Sequence, residues 1–167
     1  MFKTGFQTTN RRERFFRYAP LILWIGVILF LSSGQASMSQ TSRFLRPVLE
    51  FLFPNTPEEI LTVYHGYLRK SAHFVEYAVL AFWAARAFWG SSAKILQKYW
   101  FVSSLLAVAL VASIDETNQS FLASRTGSVD DVLLDISGGL SMLLLYALIR
   151  NKRRKNACHF DQTTAEN

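Results

Sequence analysis

The sequence predicts an all-α integral membrane protein, a bundle of four transmembrane helices with one or two short interfacial helices in the first outer loop. Half of the 167 residues are hydrophobic, and many of them lie in four separate runs of 14 to 19 residues. A helix crosses the hydrocarbon core with about 17–25 residues, so the shortest run reaches that length only with its flanking residues. The runs are Tyr18–Leu31, Ser71–Trp89, Tyr99–Ile114 and Val132–Ile149.

Two other interpretations of the runs have to be considered. A soluble four-helix bundle requires a polar face on each helix, yet Pro20–Leu31 and Val102–Ala112 have almost no polar residues. A cleaved signal peptide is an alternative for the first run, because a basic head, an apolar centre and small residues near Ala36 fit that pattern. Cys158 is the single cysteine, so no intramolecular disulfide forms and the fold depends on helix packing.

The basic residues predict the orientation. Of the 18 Lys and Arg residues, 13 fall on one side of the predicted membrane, in residues 1–17, 86–98 and 150–155. The positive-inside rule then predicts a multi-pass protein of the plasma or inner membrane with both termini in the cytoplasm. The chain divides into a basic tail (1–17), a membrane domain (18–149) and a second basic tail (150–167). We expect these tails to contact anionic lipid rather than nucleic acid.

The segment between the first two runs predicts helices outside the membrane. Residues 42–53 place apolar side chains at helical spacing opposite a charged face, which predicts an interfacial helix. The stretch Thr56-Pro57-Glu58-Glu59 predicts the start of another helix, with Thr56 as N-cap and Pro57 at the first helical position. This helix would lie on the membrane or cover the outer mouth of the bundle.

Polar residues collect at the predicted outer ends of three runs, so they share one depth and can meet. An acid inside a span costs on the order of 2.5–3.5 kcal/mol on insertion scales, and Glu76 therefore requires a partner such as His73, Lys70 or Arg125. Lys70, His73 and Tyr77 share one helical face at i, i+3 and i+7. The full set is Lys70, His73, Glu76, Tyr77, Asp115, Glu116, Gln119, Arg125, Ser128, Asp131 and Asp135.

Three segments resemble the VanZ-like family of membrane proteins, which is named after a teicoplanin-resistance determinant. RKSAHFVEYAVLAF is similar to the family's R/D-K-x-x-H-x-x-E-Y-x-x-L segment, DETNQSFLASRTGSVDDVLLDISGG to its D-E-x-x-Q-x-F…R-x-x-S-x-x-D-x-x-x-D/N-x-x-G segment, and LSSGQASMS to its serine-rich region after the first span. The resemblance covers roughly residues 20–149. Two departures are the Gly in SSGQ and LASR before Thr126, where a Pro-Gly turn is common in the family.

The resemblance implies a small multi-span protein of the cell envelope, associated in some members with low-level glycopeptide resistance. The residues leave its activity open. In one hypothesis an outward-facing polar pocket binds an anionic or lipid-linked envelope precursor, or a glycopeptide antibiotic, through Lys70, Tyr77, Glu116, Gln119, Arg125, Ser128, Asp131 and Asp135. In another, a membrane enzyme performs acid/base chemistry on a lipid-linked substrate with His73, Glu76 and Asp115 as catalytic residues. A structural ionic clasp and a transporter are further alternatives.

Some partners are not expected from the sequence. A metal site is conceivable from the ligand types of His73, Glu76, Asp115 and Asp131. No compact ligand spacing such as HExxH is present, so we predict no metal, and nothing predicts a cofactor. The lipid bilayer is the expected partner. Gly138 and Gly139 predict close packing of the fourth span against a neighbour, and the oligomeric state is left open.

Overall fold

A computed structural model of the protein describes residues 11–32, 46–121 and 128–165, without the side chains of 154, 155 and 157–165. Every regular element in these ranges is a helix, which confirms the predicted all-α class. The helices are α1 (Arg11–Ser32), α2 (46–52), α3 (Glu58–Trp89), α4 (Lys94–Lys98), α5 (Trp100–Ser120) and α6 (Val129–Ala165).

The four long helices form a bundle in which α1 and α5 run in one direction and α3 and α6 in the other. The hydroxyl of Tyr18 donates to Ser91 Oγ at 2.8 Å, which joins the start of α1 to the residues just after α3. Ser32 Oγ donates to the carbonyl oxygen of Asp115 at 3.3 Å, which joins the ends of α1 and α5. The bundle therefore has two distinct ends.

The two ends differ in chemistry. At the aromatic end, Trp100 contacts Trp89 and Tyr146 edge to face, with ring centroids 5.9 and 5.6 Å apart. At the polar end, the first half of α3 meets the last turn of α5 and the first turns of α6. The predicted site residues within the described ranges lie at this polar end.

Small residues on α3 let the other helices approach it closely. Leu80, Ala81 and Ala84 are fully buried, and they belong to one core with Val108 of α5 and Leu143 of α6. Short side chains at helix contacts let the backbones come close together, which strengthens dispersion contacts in a membrane protein. The helix α3 therefore lies at the centre of the bundle.

Two adjacent glycines fix the position of α6. A Cβ atom at Gly138 would overlap the carbonyl oxygen of Phe74 in α3, and one at Gly139 would lie 2.7 Å from Val108 Cγ1 in α5. Both positions therefore exclude a larger side chain unless a helix or a neighbouring side chain moves. The close packing predicted for these glycines occurs between helices of the same chain.

The outer surface of the bundle is apolar. Leu23 of α1, Leu106 of α5 and Leu148 of α6 are 71, 64 and 67 % exposed. Extended apolar surface of this kind is rare on soluble monomers and is suited to lipid acyl chains. Within the described residues, three helical segments are long and apolar enough to cross a membrane: Arg11–Ser32, Trp100–Ser120 and Val129–Arg153.

The helix α3 is not one of these three segments, although the sequence predicted a span over Ser71–Trp89. Polar residues within that run, including His73, Glu76 and Arg86, lower its hydropathy. Three of the four predicted spans are therefore supported by length and composition.

The first connection differs from the prediction in two respects. The short helix α2 is present, and Arg46 joins it to α3 through a contact with Glu58 at 2.7 Å, while its contact with Glu50 at 2.8 Å lies within α2. The helix predicted to follow it is the first part of α3, which continues through Gly66 without a break, since a single glycine inside a helix is tolerated. The predicted cap at Thr56 is wrong, since the N-cap is Pro57 and no side chain caps the helix.

The long terminal helices extend beyond the predicted runs. The helix α1 begins at Arg11, inside the predicted basic tail of residues 1–17. The helix α6 continues through residues 150–165, where the sequence predicted a second tail. The short helix α4, between α3 and α5, was not predicted.

Candidate functional site

Three polar residues on one face of α3 each contact an acid from a neighbouring helix. The three residues lie at i, i+3 and i+7 of α3. Two of their partners are on α6, four residues apart, and the third is on α5, so all of these side chains face the same space. The contacts are Lys70 Nζ with Asp131 Oδ1 at 3.4 Å, His73 Nδ1 with Asp135 Oδ1 at 3.5 Å, and the Tyr77 hydroxyl donating to Asp115 Oδ2 at 3.0 Å.

These three contacts descend from solvent into the core. The side chain of Lys70 is 60 % exposed, that of His73 is 19 % exposed, and Tyr77 is completely buried. An exposed ion pair such as the one at Lys70 contributes about 0–1 kcal/mol, because water competes with it. The buried contacts are the ones that constrain the site.

Several buried polar atoms have no hydrogen-bond partner among the described residues. Both carboxylate oxygens of Asp135 and Oδ1 of Asp115 are in this group, although Asp135 is 0 % and Asp115 2 % exposed. Oε1 of Glu76 is also without one. Arg125, one of the predicted partners, lies outside the described residues. A buried charge without compensation is unfavourable, so this grouping requires an explanation.

Arg69 belongs to the polar end but was not predicted as a site residue. Its Nη2 donates to Gln119 Oε1 at 2.9 Å, which joins α3 to the last turn of α5. Arg69 occupies the R/D position that opens the family segment, and this signal in the sequence could have pointed to it. The amide nitrogen of Gln119 is buried without a partner in the described part of the chain.

Glu116 and Ser128 form contacts typical of a helix cap. The backbone N–H of Asp130 donates to Ser128 Oγ at 3.2 Å, and that of Ser128 donates to Glu116 Oε1 at 2.6 Å. Both acceptors satisfy N–H groups that the first turn of a helix leaves free. These two predicted ligand-binding residues therefore fix the start of α6.

A cavity of about 100 Å³ opens at the polar end. Arg69 and Lys70 are its cations, and the buried Asp135 is its deepest acid. Six predicted site residues line it, whereas Glu76, Tyr77, Asp115 and Ser128 do not. The lining residues are Gly66, Arg69, Lys70, His73, Glu116, Gln119, Asp131, Leu134 and Asp135.

A larger groove, of about 590 Å³, lies at the aromatic end between α1 and α3. Arg12, Arg17 and Arg86 line it together with Glu13 and Phe16. The groove is wide and shallow. Unlike the lining of the smaller cavity, none of its lining residues has a buried side-chain atom without a hydrogen-bond partner among the described residues. The smaller cavity is therefore the better candidate for a specific site.

Comparison with known proteins agrees with the resemblance seen in the sequence. The model of the VanZ/LLP1 family matches residues 16–150, which include all of α3 and α5, most of α1, the part of α6 up to Arg150 and the residues that line the cavity. Neither a curated protein nor a solved structure matches the chain. The matched region contains the apolar helices and every residue of the polar end, and the chain therefore belongs to the VanZ/LLP1 family of multi-pass membrane proteins.

Proposed function

We propose that the protein binds the anionic head group of a lipid-linked envelope molecule in the cavity at the polar end. The observation that carries this proposal is the pair of cations at the cavity, Arg69 and Lys70. Among the described residues Arg69 forms no ion pair, and its hydrogen bond is to the neutral amide of Gln119. Its planar guanidinium therefore keeps donors for a phosphate, which it recognises better than an ammonium does.

The size of the cavity favours a head group over an intact glycopeptide antibiotic. Pockets for drug-sized ligands measure about 300–1,000 Å³, whereas this cavity measures about 100 Å³. A phosphate with its first ester linkage is of a suitable size. An antibiotic would contact the cavity only at its edge, so we do not assign a resistance role.

Apolar residues beside the cations favour a ligand with a lipid chain. Tyr67 and Leu68 immediately precede Arg69, and they are 67 and 48 % exposed. They extend the apolar outer surface of the bundle up to the cationic residues. A lipid could therefore bind with its head group in the cavity and its chain against these side chains.

We further propose that α3 is a fourth membrane span and that both termini are cytoplasmic. The helix runs parallel to α6 from the Lys70–Asp131 contact to the contact of Arg150 with the Trp89 ring, where the guanidinium carbon is 3.2 Å from the centroid. The two helices therefore share the same depth. The side chains of His73 and Asp135 are 19 and 1 % exposed, so the neighbouring helices shield them from lipid. Of the 18 basic residues, 13 belong to the side of the membrane opposite the cavity, which the positive-inside rule assigns to the cytoplasm. The cavity would therefore open outward.

The test is lipid binding by the purified protein. Native mass spectrometry would detect a phosphate-bearing lipid that co-purifies, and titration with a short-chain phosphatidic acid, compared with the matching diacylglycerol, would measure the phosphate dependence. We expect Arg69→Gln to weaken phosphatidic acid binding by about 10–100-fold, because it removes a charged hydrogen-bond donor.

Arg46→Gln is the matched control, since it makes the same change in charge on the same side of the bundle but outside the cavity. It should retain the affinity of the unchanged protein. Equal binding by the two variants, or equal binding of the uncharged diacylglycerol, would contradict the proposal.

A second candidate is an enzyme that acts on such a lipid. The observation that favours it is His73, which lies in the cavity with one ring nitrogen 3.5 Å from the buried Asp135. In this candidate Asp135, rather than the Glu76 or Asp115 expected from the sequence, orients the imidazole for proton transfer. Turnover of a lipid phosphate that is abolished by His73→Gln while binding persists would support it, and unchanged turnover would exclude it.

A further inference from the structure

Ligand-type atoms from three helices meet below the cavity. His73 of α3, Asp115 of α5 and Asp135 of α6 each place one such atom within 4.8 Å of the other two. Nitrogen and oxygen ligands lie about 2.0–2.6 Å from a divalent ion, so ligands on opposite sides of one ion are about 4–5 Å apart. The three atoms can therefore contact a single ion.

The second observation is that three of the four oxygens of these carboxylates have no hydrogen-bond donor among the described residues. Asp135 is 0 % exposed and neither of its oxygens accepts a hydrogen bond from the described residues, and Oδ1 of Asp115, at 2 % exposure, accepts none either. Both side chains reach into the same space. The imidazole of His73 lies 3.5 Å from Asp135 and carries a positive charge only when it is protonated. Two buried carboxylates and one imidazole leave a net negative charge that a divalent cation would neutralise.

The surroundings hold one of these ligands in place. The hydroxyl of Tyr77 donates to Oδ2 of Asp115 and leaves Oδ1 free. Hydrogen bonds from outside a metal site commonly orient its ligands in this way. The close approach of α6 to α3 at Gly138, one turn from Asp135, fixes the distance between the helices that carry His73 and Asp135.

We propose that His73, Asp115 and Asp135 bind one divalent metal ion. A set of one imidazole and two carboxylates suits Mn²⁺ or Zn²⁺, since thiolate is absent from it and its oxygens are hard ligands. Three protein ligands leave coordination positions open. Those on the cavity side face Arg69 and Lys70, where a phosphate oxygen could complete the coordination.

This inference deepens the proposed function, because the ion would lie at the floor of the same cavity and contribute to binding the phosphate. The bound ion itself does not require a lipid. It would use a nitrogen of His73, so it is an alternative to proton transfer by that residue. It also departs from the expectation of no metal, which rested on spacing along the sequence.

The experiment measures metal binding by the full-length protein. Any purification tag is removed, and a chelator strips bound metal from the protein in detergent. Mn²⁺ and Zn²⁺ are then added back in separate samples before desalting. Elemental analysis gives the metal content, and electron paramagnetic resonance detects bound Mn²⁺. Mn²⁺ matters as a probe because Cys158 would attract Zn²⁺ more strongly than Mn²⁺. We expect about one equivalent of at least one of the two metals.

Asp135→Asn and His73→Gln should each lower the affinity for that metal by at least about 100-fold. Even replacing a residue that only orients a metal ligand lowers the affinity by up to about 100-fold. Asp130→Asn is the matched control, because it changes an exposed acid of α6 that is outside both the cavity lining and the three ligands. It should bind the metal as the unchanged protein does. Thermal unfolding and size-exclusion profiles verify that each variant is folded.

The inference is wrong if the unchanged protein binds neither Mn²⁺ nor Zn²⁺ after reloading. This result does not depend on whether the variants fold. Equal metal binding by Asp135→Asn and Asp130→Asn would also overturn it. The proposed function is tested separately. A protein that binds phosphatidic acid but no metal would contradict the metal site and leave the lipid site supported. A protein that binds the metal, but whose affinity for phosphatidic acid is unchanged by Arg69→Gln, would contradict the lipid site and leave the metal site supported.

Discussion

Replacement of Gly138 by alanine tests how closely α6 must approach α3. The added Cβ would overlap the carbonyl oxygen of Phe74, and because that oxygen belongs to the backbone, no rotamer change can relieve the contact. The two helices must separate, which in overpacked cores costs about 1–3 kcal/mol. We take about 3 kcal/mol for a backbone contact and subtract about 1 kcal/mol for the better helix propensity of alanine. The expected net loss is about 2 kcal/mol.

Two other glycines give a graded control. At Gly139 the new Cβ would meet the side chain of Val108 at 2.7 Å, and a side chain can adjust more easily than a backbone carbonyl. At Gly26 a Cβ would meet nothing within 4 Å. The expected order of destabilisation is therefore Gly138→Ala, then Gly139→Ala, then Gly26→Ala, and the last should be neutral or slightly stabilising.

The assay is unfolding in detergent, followed by the fluorescence of the four tryptophans. A loss of about 2 kcal/mol changes the ratio of folded to unfolded protein by up to about 30-fold and lowers the Tm by about 4–8 °C for a chain of this size. Because His73 and Asp135 lie on the two helices that would separate, the variant should also lose ligand binding in the cavity. Equal stability of Gly138→Ala and Gly26→Ala would refute the reasoning.

Two further changes test single contacts of the polar end. Tyr77→Phe removes the 3.0 Å hydrogen bond to Asp115 and leaves a buried carboxylate without it, so the same unfolding assay should show a loss of about 1–3 kcal/mol; unchanged stability would show that this contact contributes nothing. Ser128→Ala removes the acceptor for the N–H of Asp130 and should cost about 0.5–2 kcal/mol, with faster hydrogen exchange confined to the first turn of α6. Exchange that rises along the whole helix would contradict a local capping role.

The general fold could be predicted because it depends on the order of apolar and polar residues along the chain. Runs of apolar residues predicted all four long helices, and α1, α5 and α6 carry the expected apolar outer surface. The spacing of Lys70, His73 and Tyr77 correctly placed them on one face, since residues at i, i+3 and i+7 always share a face of a helix. Such local regularities require no knowledge of the neighbouring helices.

The errors occurred where local signals compete with a helix that packing stabilises. The turn-like stretch at Thr56 predicted a capping box, yet the helix begins after Pro57 without one. The helix expected after Thr56 and the span expected over Ser71–Trp89 form one helix, α3, which extends over 32 residues, about 48 Å. A helix held by contacts with its neighbours needs neither a cap nor uniform apolarity, and so its ends are poorly marked in the sequence.

The sequence by itself determined that the chain is helical, apolar on its outside and polar at one end, because these properties follow from the pattern of residue types. Only the tertiary structure decided which polar groups meet. It paired His73 with Asp135 rather than Glu76, brought Arg69 into the cavity, and left Asp115 and Asp135 with unpaired oxygens in one buried space. The physical reason is that these contacts depend on the rotation and separation of three helices, which are set by close packing at residues such as Gly138 that carry no chemistry of their own.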